Sequence, residues 1–257
     1  KMLAVNDQTA NLSIAAALAL GAPFFIIFGQ LSDKIGRKKI IMAGCLISAI
    51  SYIPLFKALT YYANPAIFTA TETNPVTIIA DPGNCSFQFD PIGKAKFTSS
   101  CDIAKGLLAK KGVSYLNQAG ETGALTKVQI GSVATIDVFD GNTVSGDEFK
   151  TKSKEFDSQL SAALSTAGYP SKADPEKINI PMVLLILTVL VIFVTMVYGP
   201  IAAYLVELFP TRVRYTSMSL PYHIGNGWFG GFLPTIAFAM VAASGDIYYG
   251  LWYPIGI

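Results

Sequence analysis

The chain has 257 residues, of which 52% are hydrophobic and only 14% are charged. Soluble domains carry about 25% charged residues, and the mean hydropathy of this chain is positive, which excludes an ordinary soluble domain. The net charge of +2 is too small to indicate a nucleic-acid partner. The composition therefore predicts a membrane protein with a soluble part.

The first residues do not have the pattern of a signal peptide, and the last residues lie inside an apolar stretch rather than after it. The first residues, KMLAVNDQTA, contain no basic segment followed by a short apolar core and a cleavage site, so they do not form a signal peptide. The last residues, GLWYPIGI, lie within an apolar run. We therefore expect the chain to be a fragment of a longer protein.

Four apolar stretches are long enough to cross a membrane, which takes about 20 residues. In chain order they are predicted at 10–30, 40–62, 178–206 and 215–245, and 247–257 begins a fifth. Prolines and glycines interrupt them, which membrane helices tolerate better than soluble ones. These stretches predict a helical bundle in contact with the lipid bilayer.

Residues 63–177 differ from these stretches because they are rich in lysine and acidic residues. Strands are predicted at 75–81 and 85–90, a helix at 101–112, one or two strands within 127–141, and an amphipathic helix within 145–170. The predicted fold class is thus an all-α transmembrane bundle with an inserted small α+β soluble domain. Its parts are 1–62, the insert 63–177, and 178–257.

The basic residues between the apolar stretches predict the orientation in the membrane. One loop carries Lys34, Arg37, Lys38 and Lys39, and a second loop carries Arg212 and Arg214. The positive-inside rule places both loops in the cytoplasm. The insert 63–177 is then expected on the periplasmic or extracellular side.

Three cysteines fit this orientation. Cys45 is expected to be a buried apolar filler in the second stretch. Cys85 and Cys101 lie sixteen positions apart in the insert, where a disulfide would contribute roughly 3 kcal/mol, and two free thiols are the alternative. No metal site is predicted, because the insert contains no histidine and the acidic stretch 137–148 does not fit calcium-loop spacing.

The run GQLSDKIGRKK at 29–39 combines two glycines, one aspartate and four bases. It resembles the hallmark cytoplasmic loop of the major facilitator superfamily, G-x-L-[AS]-D-[RK]-x-G-R-[RK]-[RK], at every defined position. An ordinary basic loop would explain the lysines, but it would explain neither the glycine spacing nor Asp33. The resemblance implies a secondary transporter.

The segment 198–234 indicates one family within that superfamily. It contains Gly199-Pro200, the run ELFPTRVRY at 207–215, and Gly230-Gly231 followed by Pro234. These residues resemble the C-terminal half of the metabolite:H⁺ symporters, although the E-x-F-P-x-x-x-R core also occurs in sugar porters. The chain would then hold helices 8, 9, 10, 11 and the start of 12 of a twelve-helix carrier, without its N-terminal half. The insert departs from the short loop usual in that family.

The resemblance implies a cytoplasmic gate built from the two basic loops. The candidate residues are Gly29, Asp33, Gly36, Arg37, Lys38, Glu207, Arg212 and Arg214. We expect Glu207 to pair with Arg37, and Asp33 to interact with the start of the fourth stretch. The alternative is that these charges are merely solvated, because exposed ion pairs are individually weak.

Polar residues within the third and fourth stretches are candidates for the substrate and proton pathway, because polar groups in the membrane tend to face a cavity or another helix. They are Tyr198, Tyr222, His223 and Asn226. His223 could titrate near neutral pH and assist proton coupling. An interhelical hydrogen bond is the alternative role for these side chains.

The expected function is proton-coupled symport of a small organic metabolite, an organic acid or osmolyte, across a bacterial inner membrane. The expected partners are the solute, the proton, the lipid bilayer and the missing N-terminal half. No enzymatic step, cofactor or nucleic acid is expected. Alternatives are a sugar-porter-like or uniport facilitator and, from another class, a membrane-anchored extracytoplasmic module that binds a ligand or a protein partner.

Overall fold

A computed structural model describes residues 3–257, and nine α-helices and four strands occur in that range. In chain order they are α1 (Asp7–Ile35), α2 (Arg37–Ala63), α3 (Pro65–Thr73), β1 (Val76–Ala80), α4 (Ser100–Lys111), β2 (Tyr115–Ala119), β3 (Lys127–Ile130), β4 (Ala134–Asp137), α5 (Gly146–Thr166), α6 (Ile180–Leu208), α7 (Arg214–His223), α8 (Gly231–Ser244) and α9 (Trp252–Gly256). A π-helical stretch, Ile224–Gly230, joins α7 to α8.

Two compact units share these elements. The helical unit comprises 7–62, 179–233 and 253–257. The sheet unit comprises 3–6, 63–178 and 234–252. The predicted insert 63–177 lies in the sheet unit, which also takes in 234–252, a segment that the sequence placed with the bundle.

Four helical runs are long and apolar enough to cross a membrane: Asp7–Ile35, Arg37–Ala63, Ile180–Leu208 and Arg214–Ser244. The last of these runs passes from the helical unit into the sheet unit at Pro234. Four such runs were predicted, and the structure confirms them. The first two runs extend beyond the predicted stretches at both ends, whereas the third and fourth are shifted from the predicted bounds by one or two residues. The protein is therefore membrane-embedded, with a small sheet in addition to the apolar helices.

The chain leaves the helical unit after Tyr62 and first returns to it at Asn179, and these two residues are hydrogen-bonded to each other. The backbone N–H of Asn179, just before α6, donates a hydrogen bond of 2.9 Å to the carbonyl of Tyr62, near the end of α2. The Asn179 side chain also accepts from the N–H of Met182 and so caps α6. The two helix ends that flank the insert are thus tied to each other directly.

The sheet unit contains a four-stranded sheet with strand order β2-β1-β3-β4. β1 pairs in parallel with β2, with Val76 opposite Tyr115, and antiparallel with β3, with Val76 opposite Ile130. β3 and β4 form an antiparallel pair. A parallel pair needs a crossover connection, and α4 lies in the segment that connects β1 to β2.

An extensive apolar core stabilises the sheet unit. It is formed by one face of the sheet and by the apolar faces of α4 and α5; its large members include Val76, Ile78, Leu108, Tyr115, Val128, Ile130, Val138, Phe156, Leu160 and Leu164. The predicted apolar face of α5 is buried at Phe156, Leu160 and Leu164. The α+β character of this part was predicted from that periodicity.

Several local predictions for this unit were wrong or incomplete. Residues 85–90 form no strand, because Gln88 instead donates to the Asp102 carbonyl at 2.7 Å and Ser86 donates to the Asp102 carboxylate at 2.7 Å. Strand β2 was not predicted, since four of its five residues are exposed and lack a regular alternation. Helix α3 was not predicted either.

The structure joins Cys85 to Cys101 by a disulfide, with the two Cα atoms 5.2 Å apart. The bond closes the irregular loop 86–100 onto the start of α4. Cys45, by contrast, is exposed on α2, so its predicted burial was wrong.

Candidate functional site

Gly36 forms the tight junction between α1 and α2. Its φ of +101° lies in a region that side-chain-bearing residues rarely adopt. The Gly36 N–H donates to the Ser32 carbonyl at 3.0 Å, which closes the last turn of α1, and its own carbonyl accepts from Lys39 N–H at 3.2 Å. The motif glycine therefore has a conformational role, since another residue would strain this junction.

Arg37 links the ends of three helices. Its Nε donates to Glu207 Oε2 at 2.8 Å, and its Nη2 lies 3.0 Å from Asp33 Oδ1. Asp33 lies near the end of α1, Arg37 begins α2, and Glu207 lies near the end of α6. We call Asp33, Arg37 and Glu207 the Arg37 cluster.

The structure brings together the predicted pair of Arg37 and Glu207, but it differs from the prediction for Asp33. Asp33 pairs with Arg37, four residues along the chain, rather than with the start of the fourth helical run. The reason is local geometry: Gly36 turns the chain so that the guanidinium of Arg37 reaches back over the end of α1. Both carboxylates are more than half exposed, whereas the Arg37 side chain is 22% exposed.

The other predicted gate bases do not join the Arg37 cluster. The Nε of Arg214 donates to the Phe209 carbonyl at 3.1 Å, which satisfies a backbone acceptor just after α6. Lys38 and Arg212 are exposed. Gly29 has open space around its Cα, where an added Cβ would meet no atom within 4 Å.

Close helix packing in the helical unit involves Gly21 and Gly44, which the sequence did not single out, and Gly199, which it singled out only as part of a motif. A Cβ added to Gly44 on α2 would lie 2.9 Å from Met196 Cβ, and one added to Gly199 would lie 3.3 Å from the Phe25 carbonyl. A Cβ added to Gly21 on α1 would overlap Val191 of α6. α6 therefore packs closely against both α1 and α2, as is usual where small residues line membrane helices.

Two of the four predicted pathway side chains, Tyr198 and Asn226, are hydrogen-bonded to each other, and Tyr222 contributes only its backbone carbonyl. Tyr198 Oη donates to Asn226 Oδ1 at 3.1 Å, and Asn226 Nδ2 donates to the Tyr222 carbonyl at 3.1 Å. His223 lies beside this group, with its ring centroid 5.9 Å from that of Tyr222. Tyr198 on α6 is thus linked to the α7–α8 run through Asn226.

The glycines near Asn226 do not bring two helices close together. Small residues often allow such close approach in membrane helices, yet Cβ atoms added at Gly225 and Gly227 would meet nothing within 4 Å. Instead, Ile224–Gly230 adopts the wider π-helical geometry. π-Helical turns are uncommon and occur frequently at functional sites, and this one contains Asn226.

Sequence reasoning missed the π-helical stretch and the glycine contacts of α6. The signal for the first was the spacing Ile-Gly-Asn-Gly at 224–227, because glycines lower the energetic difference between helix types. The contacts of Gly21 and Gly44 carried no recognisable signal, since each glycine is isolated in an apolar run and its partner is remote in sequence.

Comparison with protein-family models, with characterised proteins and with solved structures finds no match for this chain. The resemblance to transporters therefore depends on the quoted motifs, and the geometry of the site must be interpreted from its own chemistry.

Proposed function

We propose that this chain is the C-terminal part of a secondary transporter of the major facilitator type, which carries a small organic solute together with a proton by alternating access. The Arg37 cluster carries the proposal. One guanidinium binds a carboxylate on its own loop and a second carboxylate 170 positions along the chain. Neither contact is needed to satisfy the positive-inside rule, so the arrangement supports a dedicated interhelical contact.

The exposure of the cluster suits a contact that opens and closes. Ion pairs in contact with water contribute little net stability, so breaking this one to reorient the helices costs little. The directional geometry nevertheless selects one relative position of the helix ends, because a guanidinium donates hydrogen bonds to carboxylates only along its N–H directions. We propose that the cluster is the closed form of a cytoplasmic gate.

The group formed by Tyr198, Asn226 and Tyr222 supports a polar pathway within the same unit. An amide and a phenol in apolar helices need hydrogen-bonding partners, and both find them across α6 and the α7–α8 run. In the proposal, a solute displaces the Tyr198–Asn226 bond and binds to the freed hydroxyl and amide. His223 beside this group is the candidate proton carrier.

For localisation, we propose a bacterial inner membrane, with the loops that carry Arg37 and Arg212 in the cytoplasm and the insert 63–177 outside. The distribution of arginine supports this orientation, since all three arginines of the chain lie in these two loops.

Uptake into proteoliposomes tests the proposed function. The full-length carrier, in which the N-terminal half precedes this chain, is reconstituted and supplied separately with labelled succinate, citrate, shikimate and glycine betaine. We expect accumulation of at least one solute when the outside is more acidic than the inside, and abolition of that accumulation by a protonophore. Uptake that ignores the pH gradient would favour a uniporter or sugar-porter-like facilitator, and absence of uptake for every solute would contradict the proposal for these substrate classes.

A further inference from the structure

A cavity of about 1230 Å³ lies within the sheet unit. Its walls come from the disulfide-closed loop 86–100, from α4, from the start of α5 and from α8. Small-molecule sites usually enclose about 300–1000 Å³, so this cavity has room for a ligand larger than a simple metabolite. None of the residues assigned above to transport lines it.

The walls of the cavity are mainly apolar. Ile103 and Leu107 lie one turn apart on α4, Phe149 and Phe156 lie two turns apart on α5, and Phe238 comes from α8. α8 ends a helical run that is apolar enough to cross a membrane. A hydrocarbon body of a ligand would be removed from water along these walls, which is the dominant favourable contribution in such sites.

The lysines that line the cavity differ in whether they already form an ion pair. Lys96 and Lys110 are exposed lining residues, and neither forms an ion pair within residues 3–257. A third lysine, Lys150, pairs with Asp147 at 3.3 Å. Two ammonium groups are therefore free to bind an anion at the edge of an apolar cavity.

The two acids of the lining already have backbone partners. Asp90 accepts hydrogen bonds from the N–H groups of Gly93, Lys94 and Ala95, at 2.8 to 3.1 Å. Asp102 is buried and accepts from Ser86 N–H at 2.7 Å. Both carboxylates already accept hydrogen bonds from backbone N–H groups of the loop, so they compete only weakly with a bound anion for Lys96 and Lys110.

We propose that this cavity binds an anionic amphiphile: a molecule with an acyl chain along α4, α5 and α8 and an acidic head group at Lys96 and Lys110. A free fatty acid and an acidic phospholipid share this chemistry. The disulfide has a part in the site, because Lys96 lies on the loop that Cys85–Cys101 closes, and this closure limits the positions that the loop can adopt around the cavity.

Photo-crosslinking tests the proposal on the full chain. The protein is placed in nanodiscs of phosphatidylcholine and irradiated with a palmitate analogue that carries a diazirine on its chain, and modified residues are mapped by mass spectrometry. We expect labelling on α4, the start of α5 and α8, competed by excess palmitate but not by hexadecanol, which lacks the charge. Repeating the assay in nanodiscs that contain phosphatidylglycerol separates the two sources, since competition there shows that a diacyl lipid also enters.

Charge variants supply the control. The double variant Lys96→Gln, Lys110→Gln should lower labelling of the cavity about tenfold, as expected for the loss of two partly exposed charge contacts. Lys154→Gln, an exposed lysine of α5 outside the lining, should leave it unchanged. Equal competition by hexadecanol, labelling confined to exposed apolar residues such as Phe87 and Ile92, or insensitivity to the double variant would each overturn the proposal.

Discussion

Arg37 differs from the lysines beside it in the kind of contact it makes. Lys34, Lys38 and Lys39 are exposed, as expected for charges that set topology. Arg37 uses two nitrogens of one planar guanidinium to bind two carboxylates, which an ammonium group cannot do with fixed geometry. The motif was sufficient to predict that Arg37 pairs with Glu207. It was not sufficient to predict that Asp33 also pairs with Arg37, because that contact depends on the turn at Gly36.

If the Arg37 cluster is a gate, the substitutions Arg37→Ala and Glu207→Ala should not have independent effects. Either change removes the same contact, so the double variant should transport no more slowly than the slower single variant. The measurement is the initial rate of proton-driven uptake by the full-length carrier, with Lys39→Gln as a matched loss of one positive charge in the same loop. Losses that multiply in the double variant would show that the two residues act separately.

Tyr115 is the residue whose ionisation should affect stability most clearly. Burial raises the pKa of its phenol above the ordinary value of 10.0, and its hydroxyl donates to the Ala242 carbonyl at 2.5 Å. Because the folded pKa is raised, its contribution is fully present below pH 10.0 and is lost as the pH rises through the folded pKa. Tyr169, whose pKa burial also raises, acts in the same direction.

We therefore expect Tyr115→Phe to lower the free energy of unfolding of the sheet unit by about 1 kcal/mol at neutral pH, the net value of one hydrogen bond. The variant should also lose less stability than the natural chain above pH 10.0. Urea unfolding on both sides of that pH measures both effects, with Tyr249→Phe, an exposed tyrosine of the same unit, as the control. An unchanged alkaline slope would contradict this account of Tyr115.

The positions of the long helices in the chain could be predicted from the sequence, whereas the contacts between these helices could not. Length and hydropathy are properties of one segment, so the four runs could be found from the sequence. The contact of Gly44 with Met196 joins residues that are far apart in the chain, and no local pattern specifies it. The same distinction applies to β2, which is ordered by pairing with β1 rather than by its own alternation.

Gly44→Ala tests the packing of α6 against α2. The new methyl would lie 2.9 Å from Met196 Cβ and 3.1 Å from Val197 Cγ2, and such overpacking costs about 1–3 kcal/mol, more than the helix gains from alanine, about 1 kcal/mol. Thermal unfolding in detergent should show a lower Tm for this variant. Gly29→Ala, where the methyl enters open space, should keep or raise the Tm; an equal response of the two variants would argue against close packing at Gly44.

At the scale of the whole molecule, the sequence predicted a membrane bundle and an α+β part. It could not predict that the last apolar run is divided between the helical unit and the sheet unit. Residues 234–252 belong to the sheet unit, where Val241 and Ala242 pack with Ala109 of α4. Their apolar composition is equally suited to lipid and to a protein core, so hydropathy alone does not distinguish the two environments.

The proposed orientation predicts which positions can be labelled from outside the cell. In chains with Cys45→Ala, an impermeant maleimide should modify Lys154→Cys in intact spheroplasts but modify Lys39→Cys only after permeabilisation. Both parent lysines are exposed, so access depends on the side of the membrane. The reverse labelling pattern would invert the topology and remove the cytoplasmic assignment of the Arg37 cluster.

The hydrogen bond between Asn179 and Tyr62 has an evolutionary consequence. Because α2 ends where α6 begins, the stretch between them could be acquired or lost in one genetic event without opening the bundle. Such a change would also remove Ala109, the packing partner of Val241 and Ala242, so we expect relatives that lack this stretch to differ in sequence at 234–252 as well.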